Sequence, residues 1–333
     1  MGNSSSDSRD LPPLPSAITI PAEPVYVWTP PRPAPRRGPV WRHVVLFVLT
    51  VVTTVMAGAG HFASFHFDFG SRQVTDLSTT ALMLNGLWYS VSILAILGAH
   101  EFGHYFACRY YNVDASLPYF LPLPLLLTGT LGAFIRIRQP IPGKRELFDI
   151  GIAGPIAGFV VAVPVLIAGM GFSRITALPP DTTGFVELGE PLLFQAVAWL
   201  MWGTPPDGYS INMHPMAFAA WFGLLATALN LFPIGQLDGG HISYAVLGRK
   251  STAVTIATVL VLIGLTFVSA SWLVWTVLTV IMLVTFGPRH PRTADEDVPL
   301  DRVRLWLAAG AVLMFILCFT PAPIEPFDLV SSP

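Results

Sequence analysis

The sequence has few charged residues and almost no cysteine. Only 11% of its 333 residues are Asp, Glu, Lys or Arg, whereas about a quarter of a soluble domain is charged. Hydrophobic residues make up 53%, and the formal net charge is −2. This composition excludes an ordinary soluble domain, and the balanced charge gives no indication of nucleic-acid binding. It predicts instead a polytopic membrane protein.

The two cysteines, Cys108 and Cys318, stand far apart in the chain. Neither belongs to a C-x-x-C pair, so the sequence predicts neither a disulfide framework nor a cysteine zinc cluster. We expect both thiols to fill space in helices as small apolar groups.

Proline is concentrated at the start of the chain. Residues 1–39 hold 10 of the 31 prolines, beside Ser, Asp and Arg, which is typical of a disordered or extended segment. The segment lacks the basic start and apolar core of a signal peptide. We therefore expect a disordered, Pro-rich cytosolic tail.

Apolar runs of about twenty residues follow the tail, and each is long enough to cross a bilayer as a helix. They cover approximately residues 41–59, 81–109, 148–172, 213–232, 252–270, 271–286 and 303–319. The shorter run 191–203 is expected to lie on the membrane surface. The fold class predicted is an all-α polytopic membrane protein with about seven transmembrane helices. Its parts are a membrane-embedded core (40–287), a cytosolic loop (288–302), and a last transmembrane helix with a C-terminal tail (303–333).

The distribution of Lys and Arg indicates the orientation of these helices. With seven spans and the N-terminus in the cytosol, 16 of the 18 Lys and Arg residues lie on the cytosolic side. Such an excess is the usual mark of cytoplasmic loops. We therefore expect a multi-pass protein of the inner cell membrane with a cytosolic N-terminus.

The most informative motif stands at the end of the uncharged run 82–99. It is His100-Glu101-Phe102-Gly103-His104, an H-E-x-x-H pattern. On a helix, His100 and His104 lie one turn apart on the same face, so both can ligate one zinc ion while Glu101 activates a water molecule. A chance match, a buried core histidine pair and a metal-transport site are the alternatives. Polar groups at this depth are costly unless they face a protein interior or a water-filled pocket.

A second polar cluster ends the fourth apolar run, at Asn230-Leu231-Phe232-Pro233-Ile234-Gly235-Gln236-Leu237-Asp238-Gly239-Gly240-His241. By the orientation above, it lies on the cytosolic side, as the first motif does. A catalytic zinc site normally has three protein ligands, and we expect Asp238 to be the third, with His241 as its rival.

Residues 118–140 do not resemble a membrane span, because Pro118, Pro122 and Pro124 break helix. The segment then alternates as a strand does. One interpretation is an ordinary cytosolic hairpin. The other is a re-entrant β-hairpin near the active site, whose exposed edge, Leu131, Gly132, Ala133, Phe134 and Ile135, binds an unwound substrate by strand addition.

The third apolar run contains Gly154 and Gly158, which are four positions apart. Small residues at this spacing permit close helix packing in a membrane. We expect these glycines to serve packing, with the helix forming one wall of a cavity.

H-E-F-G-H on a membrane helix, followed by N-x-x-P-x-x-x-L-D-G-G on a later one, resembles the site-2 protease family of intramembrane zinc metalloproteases. The resemblance covers about residues 80–250. It implies that His100, His104 and Asp238 bind one zinc ion per chain and that Glu101 is the catalytic acid/base. It also implies that Asn230 helps to bind substrate.

By the same resemblance, the substrate is a transmembrane segment of another membrane protein. The distribution of Lys and Arg places the expected active site toward the cytosol. The outer loop, about 173–212, is too short for the PDZ domain of many bacterial relatives, and we expect no nucleotide-sensing module after the last span. A membrane metal transporter or metal sensor with the same ligands is the alternative function.

Overall fold

The computed structural model describes residues 38–70, 77–124, 127–182, 185–288 and 290–327. Of the predicted tail 1–39, all but Gly38 and Pro39 lies outside these residues. Residue 289 of the predicted loop and residues 328–333 of the predicted C-terminal tail lie outside them as well.

Helices dominate the described part of the chain. They are α1 (Val40–His66), α2 (Thr79–Tyr110), α3 (Lys144–Phe172), α4 (Leu192–Trp202), α5 (Pro215–Leu231), α6 (Asp238–Leu247), α7 (Ser251–Leu265), α8 (Trp272–Phe286) and α9 (Arg302–Cys318). The short strands are β1 (Tyr119–Pro122), β2 (Thr130–Phe134), β3 (Arg174–Ala177), β4 (Val186–Leu188), β5 (Tyr209–Asn212) and β6 (Ile324–Pro326). They pair antiparallel as β1–β2, β3–β5 and β4–β6.

Four helical stretches in the described residues are long and apolar enough to cross a membrane. They are Val40–His66, Thr79–Tyr110, Lys144–Phe172 and Asp238–Leu265, the last of which joins α6 and α7. Each of the seven predicted apolar runs coincides with one helix, but α5, α8 and α9 contain only 15 to 17 residues. A helix rises about 1.5 Å per residue, so these three are short for a hydrocarbon core of about 30 Å. The total of seven spans remains a prediction.

Glycines bring the long helices into close contact. A side chain at Gly103 would collide with the backbone of Ala153, so α2 and α3 cross closely there. Gly58 of α1 likewise lies against the backbone of Gly86 in α2. Helix α5 packs against both α2 and α3 through fully buried side chains such as Trp221. The result is a core of α2, α3 and α5, flanked by α1.

The β1–β2 hairpin is held along α1 and α2. His43 Nδ1 lies 3.1 Å from the carbonyl oxygen of Pro118, and the Tyr89 hydroxyl donates to the carbonyl oxygen of Thr128 at 2.9 Å. Gly129 has a φ of +68° and lies against the backbone of Thr53, where a Cβ atom would collide. The turn of the hairpin is therefore fixed against the middle of α1.

Two further sheets, β3–β5 and β4–β6, complete the described strands, and the first of them is held at the C-terminal end of α1. In the β3–β5 pair, Arg174 is the register partner of Asn212. The Arg174 side chain forms a 2.5 Å ion pair with Asp68, and the Asn212 amide donates to the same carboxylate at 3.1 Å. Helix α4 exposes Trp199 and Leu200. The prediction that its segment lies on the membrane surface stays a prediction.

Both cysteines are free, buried and in helices, as predicted. Cys108 packs beside Val113 and Ile150, and Cys318 belongs to the core around Trp221.

Candidate metal centre

Two imidazoles of α2 converge at one point. His100 and His104 lie one turn apart, and their Nε2 atoms are 3.1 Å from each other. Both residues are buried, with exposed fractions of 6% and 7%. A cation between these two nitrogens would accept a lone pair from each.

Asp238 comes to the same point from α6. It is the first residue of that helix, and its Oδ2 atom lies 3.2 Å from His100 Nε2 and 3.3 Å from His104 Nε2. The connection from α5 is very tight, because side chains at Gly239 or Gly240 would collide with backbone carbonyl groups of that connection. The glycines thus allow α6 to begin directly beside the histidines.

The three ligand atoms fit a zinc ion. Their separations of 3.1, 3.2 and 3.3 Å form a nearly equilateral triangle. With zinc–ligand distances of about 2.0–2.1 Å, the ligand atoms of a tetrahedral site lie about 3.3–3.4 Å apart. Two imidazoles and one carboxylate are also a donor set that catalytic zinc uses. His100, His104 and Asp238 form the one group of this kind in the described part of the chain.

Helix α3 packs against both histidines and limits where their rings can lie. The carbonyl oxygen of Ile150 lies 2.7 Å from His104 Nδ1. A hydrogen bond from Nδ1–H to this carbonyl leaves Nε2 free to ligate a metal. A Cβ atom at Gly154 would collide with the His104 ring, and one at Gly158 would lie 3.1 Å from the His100 Cβ. The prediction assigned both glycines to helix packing, but they also make room for the metal ligands.

Glu101 is close to the ligands without being one of them. It is buried, with 7% of its surface exposed, and it lines a cavity of about 160 Å³ together with His100. The backbone of Ile135 lies within hydrogen-bond reach of its carboxyl group. A carboxyl group in this position can exchange a proton with a molecule in the cavity.

The predicted substrate residues divide into two groups. Asn230, Leu131, Gly132 and Ala133 line the same cavity as Glu101, and the Asn230 amide nitrogen lies 3.4 Å from His100 Nε2. Phe134 and Ile135 do not line it. Phe134 stacks on Tyr119 across the hairpin, and Ile135 follows the end of β2 and packs beside the cluster around Cys108.

His241, the rival third ligand, points elsewhere. Its Nδ1 atom lies 2.7 Å from Nε2 of His290, and the His290 ring stacks on Tyr244. Burial lowers the pKa of His290 below its ordinary value, so a neutral imidazole can share this hydrogen bond near pH 7. Of the two candidates, only Asp238 belongs to the ligand triangle.

The chain is similar to known proteins. The family model described as "Peptidase family M50" matches residues 88–271, more than half of the chain. The chain belongs to peptidase family M50. This is the family of the site-2 proteases, so the predicted family is confirmed. The matched residues include the H-E-x-x-H motif, the hairpin, α3 and the segment that carries Asp238.

Relatives of the chain include plant proteins named probable zinc metalloproteases. The chain is 30% identical over 267 residues to probable zinc metalloprotease EGY2, chloroplastic, of Oryza sativa subsp. indica, an alignment that covers 74% of this chain and 46% of the relative. The EGY2 protein of Arabidopsis thaliana is 29% identical over 257 residues, covering 75% and 44%. EGY1 of the same plant is 28% identical over 244 residues, covering 68% and 43%.

The chain thus matches less than half the length of these curated relatives. Their names agree with the predicted enzyme class and with zinc as the metal. Both motifs lie within the matched family region, so the likeness includes the residues that form the ligand triangle.

Proposed function

We propose that this chain is an intramembrane zinc metalloprotease that hydrolyses peptide bonds in or near transmembrane segments of other membrane proteins. The observation that carries the proposal is the position of Glu101, which lines a cavity beside the His100–His104–Asp238 triangle in the C-terminal third of a 32-residue apolar helix. A site for metal storage or passage needs the ligands but not a buried carboxyl group beside an open cavity.

The metal ligands and Glu101 divide the chemistry. A zinc ion held by the three ligands supplies Lewis acidity, which polarises a carbonyl group and makes a water molecule a stronger acid. Glu101 accepts the proton of the attacking water as the water oxygen forms a bond to the peptide carbon. The same carboxyl group then delivers that proton to the leaving amine nitrogen as the C–N bond breaks.

Asn230 orients the substrate in this scheme. Its amide lies 3.4 Å from His100 Nε2 and faces the cavity. A neutral amide donor at that place can bind the substrate carbonyl oxygen as negative charge develops on it.

The hairpin supplies a place for an unwound substrate. A helical substrate keeps its peptide groups in its own hydrogen bonds, so the segment to be cut must first be extended. Strand β2 pairs with β1 on one side, and Leu131, Gly132 and Ala133 line the cavity beside Glu101. Strand addition along β2 would place an extended segment next to the catalytic group.

The proposed setting is the inner cell membrane, with seven spans and with the N-terminus and active site toward the cytosol. The hairpin is proposed to be re-entrant. In support, its turn lies against Thr53 in the middle of α1, and the carbonyl oxygen of Leu127 is 2.8 Å from His61 Nε2, further along the same helix. Non-helical backbone at membrane depth is stable when protein surrounds it.

The test replaces Glu101 with Gln in the full chain. Glu101→Gln keeps the shape of the side chain but removes its basic carboxylate. We expect zinc content to stay at about one ion per chain and cleavage to fall by about 100-fold or more. The probe is a library of single-span model proteins tagged at both ends, with products identified by mass spectrometry.

Asp238→Asn is the matched comparison, because it makes the same carboxylate-to-amide change at a proposed metal ligand. That variant should lose zinc together with activity. Undiminished cleavage by Glu101→Gln would contradict the acid/base role of Glu101, and metal-free wild-type protein that still cleaves would contradict the zinc enzyme.

A further inference from the structure

A second cavity lies directly behind the one that contains Glu101. It has a volume of about 140 Å³ and shares Leu229, Asn230 and Trp275 with the first cavity. These residues come from α5 and α8, so the wall between the cavities is formed by two different helices. We call this second space the rear pocket.

The rear pocket is apolar. Apart from Asn230 and Thr279, the described residues that line it are aliphatic or aromatic, and they come from α5, the α5–α6 connection, α7 and α8. Leu262 on α7 is almost completely buried there. Such a surface favours an apolar side chain over a polar one.

The size of the rear pocket matches one large side chain. An engineered apolar cavity of about 150 Å³ holds a benzene molecule, so about 140 Å³ accommodates a side chain of the size of Leu, Met or Phe.

The position of the rear pocket connects it to the peptide bond that is cut. Asn230 lines both cavities and lies within 3.4 Å of a metal-ligand atom. A side chain that passes this residue therefore belongs to an amino acid at or next to the scissile bond. In an extended strand the neighbouring side chains point the other way, so only one residue at a time enters.

We propose that the rear pocket is a specificity subsite for one large apolar side chain of the substrate and that Trp275 is the residue that sets its size limit. This inference rests on the proposed protease function and adds the kind of residue that the enzyme prefers beside the cut. Trp275 lies between the two cavities, so its indole ring determines how far a side chain can reach from one to the other.

The test measures cleavage preferences with the tagged single-span library, in which the residues around the cleavage site are varied. Wild-type protein should favour Leu, Met or Phe over Ala at one position by at least about tenfold, since differences of this kind are typical of an apolar subsite. Sequencing of the product ends by mass spectrometry identifies that position.

Two substitutions should move the preference in opposite directions. Thr279→Phe places a ring in the rear pocket and should shift the preference to Ala and other small residues, reducing cleavage at Leu or Phe by about tenfold. Trp275→Ala joins the two cavities and should admit Trp, which wild-type protein excludes. Thr285→Phe, the same change at an exposed position of α8 that lines neither cavity, is the matched control and should retain the wild-type preference.

The possible outcomes are distinct. Zinc content equal to wild type in each variant shows that the fold and metal site persist. Glu101-dependent cleavage with the same preference in both Thr279→Phe and Trp275→Ala would overturn the subsite while the protease function stands. Absence of any Glu101-dependent product from wild-type protein would overturn the function itself, and the subsite with it.

Discussion

At the scale of single residues, the metal centre depends on glycines, which have no side chain, as well as on its ligands. Gly154 lies so close to the His104 ring that no Cβ atom fits between them, and a Cβ atom at Gly158 would make a tight 3.1 Å contact with the His100 Cβ. The Ile150 carbonyl orients His104 from the same helix. Helix α3 therefore acts as a rigid support that fixes the positions of both imidazoles.

Gly154→Ala tests this support. The added methyl group must displace the His104 ring, and overpacking of this kind costs about 1–3 kcal/mol. We expect zinc affinity, measured by competition with a chelator, to fall by about 10- to 100-fold. Gly310→Ala in α9 is the control, because its new Cβ atom would meet no neighbour within 4 Å. Equal zinc affinity in the two variants would show that α3 does not position His104.

At the scale of secondary-structure elements, the hairpin is the part whose position matters most for substrate. Its strand β2 borders the cavity of Glu101, but its turn is fixed some distance away, against α1. A change at the turn can therefore move the strand without touching any metal ligand.

Gly129→Ala is the corresponding substitution. Gly129 has a φ of +68° and lies against the backbone of Thr53, so the variant combines backbone strain with a steric collision. We expect cleavage of the tagged library to drop by about tenfold or more, as misplaced substrate costs rate, while zinc content stays unchanged. Gly60→Ala in α1 has open space around it and should behave as wild type. Loss of zinc in Gly129→Ala would mean that the hairpin also supports the metal site.

At the scale of the whole molecule, the orientation in the membrane can be tested by labelling. Both native cysteines are buried, so a membrane-impermeant maleimide should react with them slowly. Asp207 and Lys250 are both exposed and lie on opposite sides in the proposed topology. In intact cells, Asp207→Cys should be labelled and Lys250→Cys should not until the membrane is permeabilised. The reverse pattern would invert the topology, and labelling of both would contradict the span count between them.

The sequence by itself determined the family, the helical class and the histidine pair of the candidate metal site. These features can be recognised without knowing the fold, because a histidine pair one turn apart, an Asp-Gly-Gly segment and an apolar run each occupy one short stretch of sequence. The helix positions could be predicted for the same reason, since each apolar run coincides with one helix.

Only the tertiary structure decided what surrounds these patterns. The choice of Asp238 over His241 depends on the tight α5–α6 connection, which aims one side chain at the histidines and the other at His290. The roles of Gly154 and the Ile150 carbonyl, and the wall that Trp275 forms, arise where separate helices meet. Contacts between residues far apart in sequence leave no periodic signal in the chain, so they become visible only once the helices are packed.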